Sequence, residues 1–237
     1  MQLIPFDQYL AIVYGISDSE RQLLRHYPKE VKAFEEIPLM YKQIQKKIRK
    51  KNSGFFAWLR RWALVSQRKK FEQNKNRPVY AGARGEKTII KVLSELGDDY
   101  HVFCGLHIFL PYMVSFRGQK NLRSAQMDFV IVSKKGLFVM EVKNWSDSFA
   151  KNYNGFSPHE QTARAGRVLW ITMQQAMINV SVKTVLVSIH DNLRYDEKYA
   201  RVFVTSPEKI IMYLDNRKNI IPEGEVFAIV EILKRFV

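Results

Sequence analysis

Asp128, Glu141 and Lys143 stand within MDFVIVSKKGLFVMEVKN, residues 127–144, where most neighbours are valine, phenylalanine, methionine and leucine. Two carboxylates and an ammonium among core-type side chains call for a chemical reason. Met127–Val132 and Leu137–Lys143 have the β-branched and aromatic content of strands, and Ser133, Lys134, Lys135 and Gly136 between them read as a turn. With Val132 paired to Leu137, counting back along both strands sets Asp128 opposite Glu141 and Gln126 opposite Lys143. Side chains alternate between faces, so Leu137, Val139, Glu141 and Lys143 share one face with Val132, Val130 and Asp128. Directly opposed residues have Cβ atoms about 4.5–5.5 Å apart, and like charges there repel. A cation should lie between them. Lys143, about 6.6 Å along the strand, is one candidate, and a divalent ion held by carboxylate oxygens is the stronger one. A register slipped by one residue is the alternative: it turns one acid outward and leaves the other to pair with Lys143.

The elements that must position this hairpin follow a regular order. Ala83–Leu96 reads as an amphipathic helix, Tyr100–Leu110 as a strand, and Pro111–Ser124 as a basic loop carrying Arg117, Lys120 and Arg123. After the hairpin, Ser157, Pro158 and Glu160 open a helix with a capping-box signature that should run to about Met177. Thr184–Ile189 and Arg201–Thr205 read as strands, and Pro207–Leu214 and Glu223–Phe236 as helices. The order α-β-β-β-α-β-β-α predicts an α/β domain with a mixed central sheet flanked by helices.

Two further polar residues fall near this framework. Glu86 lies in the first turn of its helix as read, aligned with Ile89, Ile90, Leu93 and Leu96 on the apolar face. It is either a core-facing site residue or a glutamate satisfied by the helix N-terminus. Gln161 sits one turn into its helix, where spacing alone makes it a surface glutamine. His26, His101, His107, His159 and His190 have no zinc-site or triad spacing, and no serine occupies a nucleophile elbow, which disfavours zinc and acyl-transfer chemistry.

The charge is concentrated. The chain of 237 residues carries +15, and residues 42–78 hold thirteen Lys and Arg against Glu72 alone, a balance of +12; residues 1–41 sum to −2 and 79–237 to +5. This arm reads as helical, from YKQIQKKIRKK through a Ser-Gly break to GFFAWLRRWALVSQRKKF. Phe55, Trp58, Leu59, Trp62 and Val65 form a stripe expected to pack on the main domain, while Arg60, Arg61 and Arg68 occupy other faces and, with Lys46, Lys47, Lys50, Lys51, Lys69 and Lys70, keep the charge exposed. Such a stripe of charge suits nucleic acid first and an anionic membrane surface second. The organisation predicted is a strongly basic helical extension over 1–78 and a folded domain over 79–237. Cys104, the only cysteine, sits in the apolar run HVFCGLHIFL, so no intrachain disulfide can form and a reducing, cytoplasmic setting is expected. No apolar run reaches the length of a membrane span, and no targeting segment is evident.

Taken together, Gly82-Ala83-Arg84-Gly85-Glu86 at a helix start, Gln126-Met127-Asp128 on one strand, Gly136 to Asn144 with Glu141 and Lys143 on the next, and Ser157-Pro158 with Gln161 resemble the nuclease-related domain, NERD. That family belongs to the PD-(D/E)xK nuclease superfamily, with its restriction-endonuclease-like core. The likeness spans roughly 80–205, and the pair Q-x-D and G-(four apolar)-E-x-K is its most specific part. Met127 stands in place of the superfamily's proline and Ser157 in place of the family's more usual asparagine.

The resemblance implies Asp128 and Glu141 as ligands of Mg²⁺ or Mn²⁺, Lys143 as the catalytic lysine, and Glu86, Gln161 and Gln126 as supporting site residues. It implies a metal-dependent nuclease without a small-molecule cofactor, acting on DNA more readily than RNA. Lys143 would deprotonate or orient the attacking water, or stabilise the pentavalent transition state. The basic arm lies outside the likeness and is assigned to the phosphate backbone by charge alone. A non-cutting nucleic-acid-binding protein is the rival reading, and the number of chains in the assembly, homo-oligomer or not, is left open.

Overall fold

The computed structural model describes residues 10–50 and 55–237, with the backbone alone for 55–57; Lys51 and the Ser53-Gly54 break lie outside the described residues. Six strands hydrogen-bond in chain order: β1 (Ile12–Tyr14), β2 (His101–Phe116), β3 (Gln119–Ser133), β4 (Gly136–Lys143), β5 (Val182–Ser188) and β6 (Val202–Thr205). The central β2–β3 and β3–β4 pairs are antiparallel and the outer pairs parallel, so the sheet is mixed, as the element order implies. Eight α-helices accompany it among the described residues: α1 (Asp18–Leu24), α2 (Glu36–Arg49), α3 (Phe55–Lys75), α4 (Pro78–Leu93), α5 (Asp147–Asn152), α6 (Pro158–Gln175), α7 (Ile210–Asp215) and α8 (Glu223–Leu233). The chain forms two compact units, Ser19–Arg84 and a larger one of Met1–Asp18 with Gly85–Val237.

In the larger unit both faces of the sheet are covered. Val130, Val132, Leu137 and Val139 pack with Ala165, Val168 and Leu169 of α6 and Ile229 and Leu233 of α8. Phe129, Ile131, Phe138, Met140 and Val142 pack with Ile89 and Leu93 of α4 and Ile210 and Leu214 of α7. That double cover explains why β4 is almost wholly apolar, with every residue but Lys143 buried. Cys104 is buried in the second of these cores. In the smaller unit, Leu23, Tyr27, Ile37, Ile44, Phe71 and Ala83 make a separate core.

Several local readings are corrected. Pro111–Ser124 is not a loop: β2 and β3 continue to a two-residue turn at Arg117 and Gly118, whose φ angles of 50° and 83° suit a tight hairpin. Pro111 is tolerated because the register shifts between the Phe109–Ser124 and Val114–Leu122 pairs, so its missing N–H breaks no ladder bond there. The β3–β4 loop is also tighter than read, because Ser133 pairs with Gly136 and only Lys134 and Lys135 turn. Helix α4 starts at Pro78, where proline suits the first helical position, so Glu86 lies well inside the helix and the first-turn explanation for it fails. Strand β1 has no counterpart in the all-helical reading of 1–78; its three residues extend the sheet alongside His101, Val102 and Phe103.

Candidate active site

The predicted register holds along β3 and β4: Val132 faces Leu137, Val130 faces Val139, and the ladder ends at Phe129–Met140. The next positions are Asp128 and Glu141, and there pairing gives way to a side-chain bond. Asp128 Oδ2 accepts the Val142 N–H at 2.8 Å. The carboxylate thus caps the open end of the ladder, a departure from plain cross-strand opposition that satisfies a backbone donor the splayed strands would orphan.

Glu141 is buried, 1% exposed. Its Oε1 accepts from Lys143 Nζ at 2.6 Å, and the same ammonium donates to Gln161 Oε1 at 3.1 Å. Alternation along β4 sends Glu141 and Lys143 to the face that α6 covers, and the α6 start fixes Gln161. Ser157 caps that helix through the Glu160 N–H, Pro158 opens it, and the Gln161 N–H donates to Ser157 O at 2.9 Å. Spacing alone made Gln161 a surface residue; in the structure it is half-buried against Lys143. The Lys143 backbone is held in turn at the end of β5: Lys143 pairs with Ser188, and its carbonyl accepts the N–H of Ile189, the next residue, at 3.0 Å.

The electrostatics follow from burial. Burial, then the charge of Glu141, push the Asp128 carboxyl up to about 8, against the pull of Lys143 and the Val142 N–H, and Asp18 adds to the rise. Burial likewise raises Glu141 against the opposing pull of Lys143, and the charge of Glu86 raises it further. Burial works against the Lys143 ammonium, yet Glu141 and Asp128 outweigh it and hold the group above its ordinary value.

Glu86 is buried and close enough for its charge to act on Glu141. Gly85 beside it permits that approach, since a Cβ there would lie 2.7 Å from the Asn144 Cβ. Asp18 was not foreseen. It comes near through Gly105, which lies in β2 between the Cys104–Phe129 and Leu106–Met127 pairs and has φ of 61°. A Cβ at Gly105 would meet Ile16 O and Asp18 N, both at 2.9 Å, so only glycine lets residues 16–18 pass so close to Asp128. Gln126 does not join the cluster: it is exposed, and its ladder partner is His107 on β2. The hairpin splays before the position where Gln126 would meet Lys143.

Among the described residues no group of three His, Cys, Asp or Glu forms a ready metal cage. Glu141 Oε2 is nevertheless buried without a hydrogen-bond partner, and Asp128 is strained toward protonation. Two carboxylates in this state suit a hard divalent ion such as Mg²⁺, which takes one or two protein carboxylates and completes its shell with water and substrate phosphate.

The basic residues divide by setting. In the smaller unit Lys46, Lys47, Lys50, Arg60, Arg61, Lys69 and Lys70 are exposed, while Arg68 is half-buried and pairs with Glu72 at 3.7 Å. Residues 58–63 are exposed on every side of α3, with Trp58 at 60% and Trp62 at 66%, while Leu64 and Phe71 bury the later turns in the core of the smaller unit. In the larger unit Arg117, Lys120 and Arg123 are exposed on the β2–β3 hairpin, Arg117 lying over the Tyr199 ring at 4.7 Å. No described helix is long and apolar enough to cross a membrane.

A family model, the nuclease-related domain, matches residues 81–189, a span that takes in Glu86, Asp128, Glu141, Lys143 and Gln161. No curated protein and no solved structure matches the chain.

Proposed function

We propose that this chain, which carries a nuclease-related domain over residues 81–189, is a divalent-metal-dependent nuclease that hydrolyses phosphodiester bonds, with DNA as the favoured substrate. The observation that carries the reading is the bonded set Glu141–Lys143–Gln161 beside Asp128, with a buried Glu141 oxygen left open. A merely structural hairpin would be more stable without one of these acids, because buried like charges are costly unless something neutralises them.

Asp128 and Glu141 would hold Mg²⁺ or Mn²⁺, which supplies Lewis acidity and charge neutralisation at the phosphate. Lys143, kept as an ammonium by its two carboxylate neighbours, presents positive charge to a phosphate oxygen. Gln161 holds the Lys143 side chain in place through its 3.1 Å bond. Glu86 enlarges the negative charge that the ion would offset. Exposed cations on α2, α3 and the β2–β3 hairpin supply the sequence-independent grip on the backbone.

The test is direct. Purified protein and an Asp128→Ala control are incubated with linear, circular, single-stranded and branched DNA and with RNA, with and without Mg²⁺ or Mn²⁺. Cleavage that requires both the metal and Asp128 is the expected result. Equal cutting by the control, or no cutting of any substrate, would leave the rival reading of a non-catalytic nucleic-acid-binding protein.

A further inference from the structure

Trp145, Phe149 and Tyr153 recur every four residues immediately after Lys143, across the short helix α5. Their rings gather into one cluster: Trp145 lies 5.3 Å from Phe149 and 4.4 Å from Tyr153, with 5.5 Å between the latter two. None of the three belongs to a hydrophobic core of the larger unit, and α5 buries no residue at all. Phe149 is 48% exposed and Tyr153 37%. The cluster is nonetheless fixed in position. Ser146 caps α5 through the Phe149 N–H, and Asn192 Nδ2 donates to the Trp145 carbonyl at 2.7 Å and to Asp147 Oδ1 at 3.1 Å.

The cluster also adjoins the reacting groups. Lys143 Nζ lies 5.8 Å from the Trp145 ring centroid. Exposed rings held rigidly next to a phosphate-seeking ammonium match the two chemical parts of a nucleotide, a charged phosphate and a flat base.

We infer that Trp145, Phe149 and Tyr153 form a stacking platform for an unpaired base next to the phosphate that Lys143 faces. This rests on the nuclease reading and narrows its substrate class. A base inside a duplex is covered on both faces by its neighbours, so a platform of this kind selects single strands, frayed ends or flaps. Phe149 and Tyr153 are positioning residues with no part in the bond-breaking step.

The experiment uses the full chain with Ca²⁺ replacing Mg²⁺ and two probes: a single-stranded oligonucleotide carrying 2-aminopurine, and a duplex closed by hairpins at both ends. Wild type should quench the 2-aminopurine signal on binding. The Phe149→Ala/Tyr153→Ala variant should lose the quench and bind the single strand roughly 5- to 100-fold more weakly, the worth of one stacked base, with duplex affinity unchanged. Trp145→Phe should keep the quench. If the double alanine variant does not fold, Phe149→Leu/Tyr153→Leu keeps the apolar bulk without the π faces and should give the same result. Equal weakening on both probes, or an unaltered quench, would overturn the platform. The substrate panel separates the two readings: cleavage with an unaltered quench removes the platform alone, whereas a platform-dependent quench without cleavage removes the nuclease reading alone.

Discussion

At Asp128, burial and the Glu141 charge act in the same direction, and this has a measurable sign. Its carboxyl is raised from 3.8 to about 8 in the folded protein. A group raised on folding contributes stability that is fully present below its unfolded value and is lost as pH rises through its folded value. In EDTA, wild type should therefore fall behind Asp128→Asn in melting temperature as pH rises from about 4 to about 8, and the gap should level off above that. The Asn variant keeps an oxygen for the Val142 N–H. Added Mg²⁺ or Mn²⁺ should then raise the wild-type melting temperature, by on the order of 2.7 kcal/mol of stability at a hundred times the dissociation constant, and leave Asp128→Asn nearly unmoved. An Asn variant that melts well below wild type throughout, with an equal response to metal, would make Asp128 a structural residue. Asp128, Glu141 and Lys143 were legible in the sequence because strand alternation places them on one face. Asp18 was not, because its approach depends on a positive φ at Gly105, which no periodicity encodes. Gln161 was misread by spacing, since a helical wheel counts apolar neighbours and overlooks a single bond to Lys143.

Among the elements, the β3–β4 hairpin was legible because two covered faces force one register. The β2–β3 hairpin was not, since Pro111 signals a loop unless the register shift that accommodates it is known. Helix α3 is divided. Phe71 is buried in the core of the smaller unit, whereas residues 58–63 are exposed. Deleting the arm would therefore remove Ile44 and Phe71 from that core, and charge reversal is the cleaner probe. Reversing Lys46, Lys47, Lys50, Arg60 and Arg61 should weaken binding to duplex DNA and flatten the slope of log affinity against log salt by about 0.9 for each phosphate no longer neutralised. An unchanged slope would show that these cations do not touch the backbone.

For the molecule as a whole, the net charge of +15 and its concentration in residues 42–78 were readable from composition, as was the mixed sheet from the order of its elements. Strand β1 escaped because three residues are too few to carry a pattern. On the proposed reading the labour is divided: dispersed surface cations would hold nucleic acid, and Asp128, Glu141 and Lys143 would cut it. Lys143→Ala isolates the second function, since it removes the ammonium and leaves the two carboxylates and the exposed cations in place. The decisive measurement is single-turnover cleavage of labelled DNA by Lys143→Ala with Mn²⁺, alongside its affinity for the same DNA with Ca²⁺. The predicted result is a rate lower by on the order of 10²- to 10³-fold, the drop typical of removing one transition-state donor, with affinity essentially that of wild type. Cleavage at the wild-type rate, or binding weakened in proportion to the rate, would contradict it.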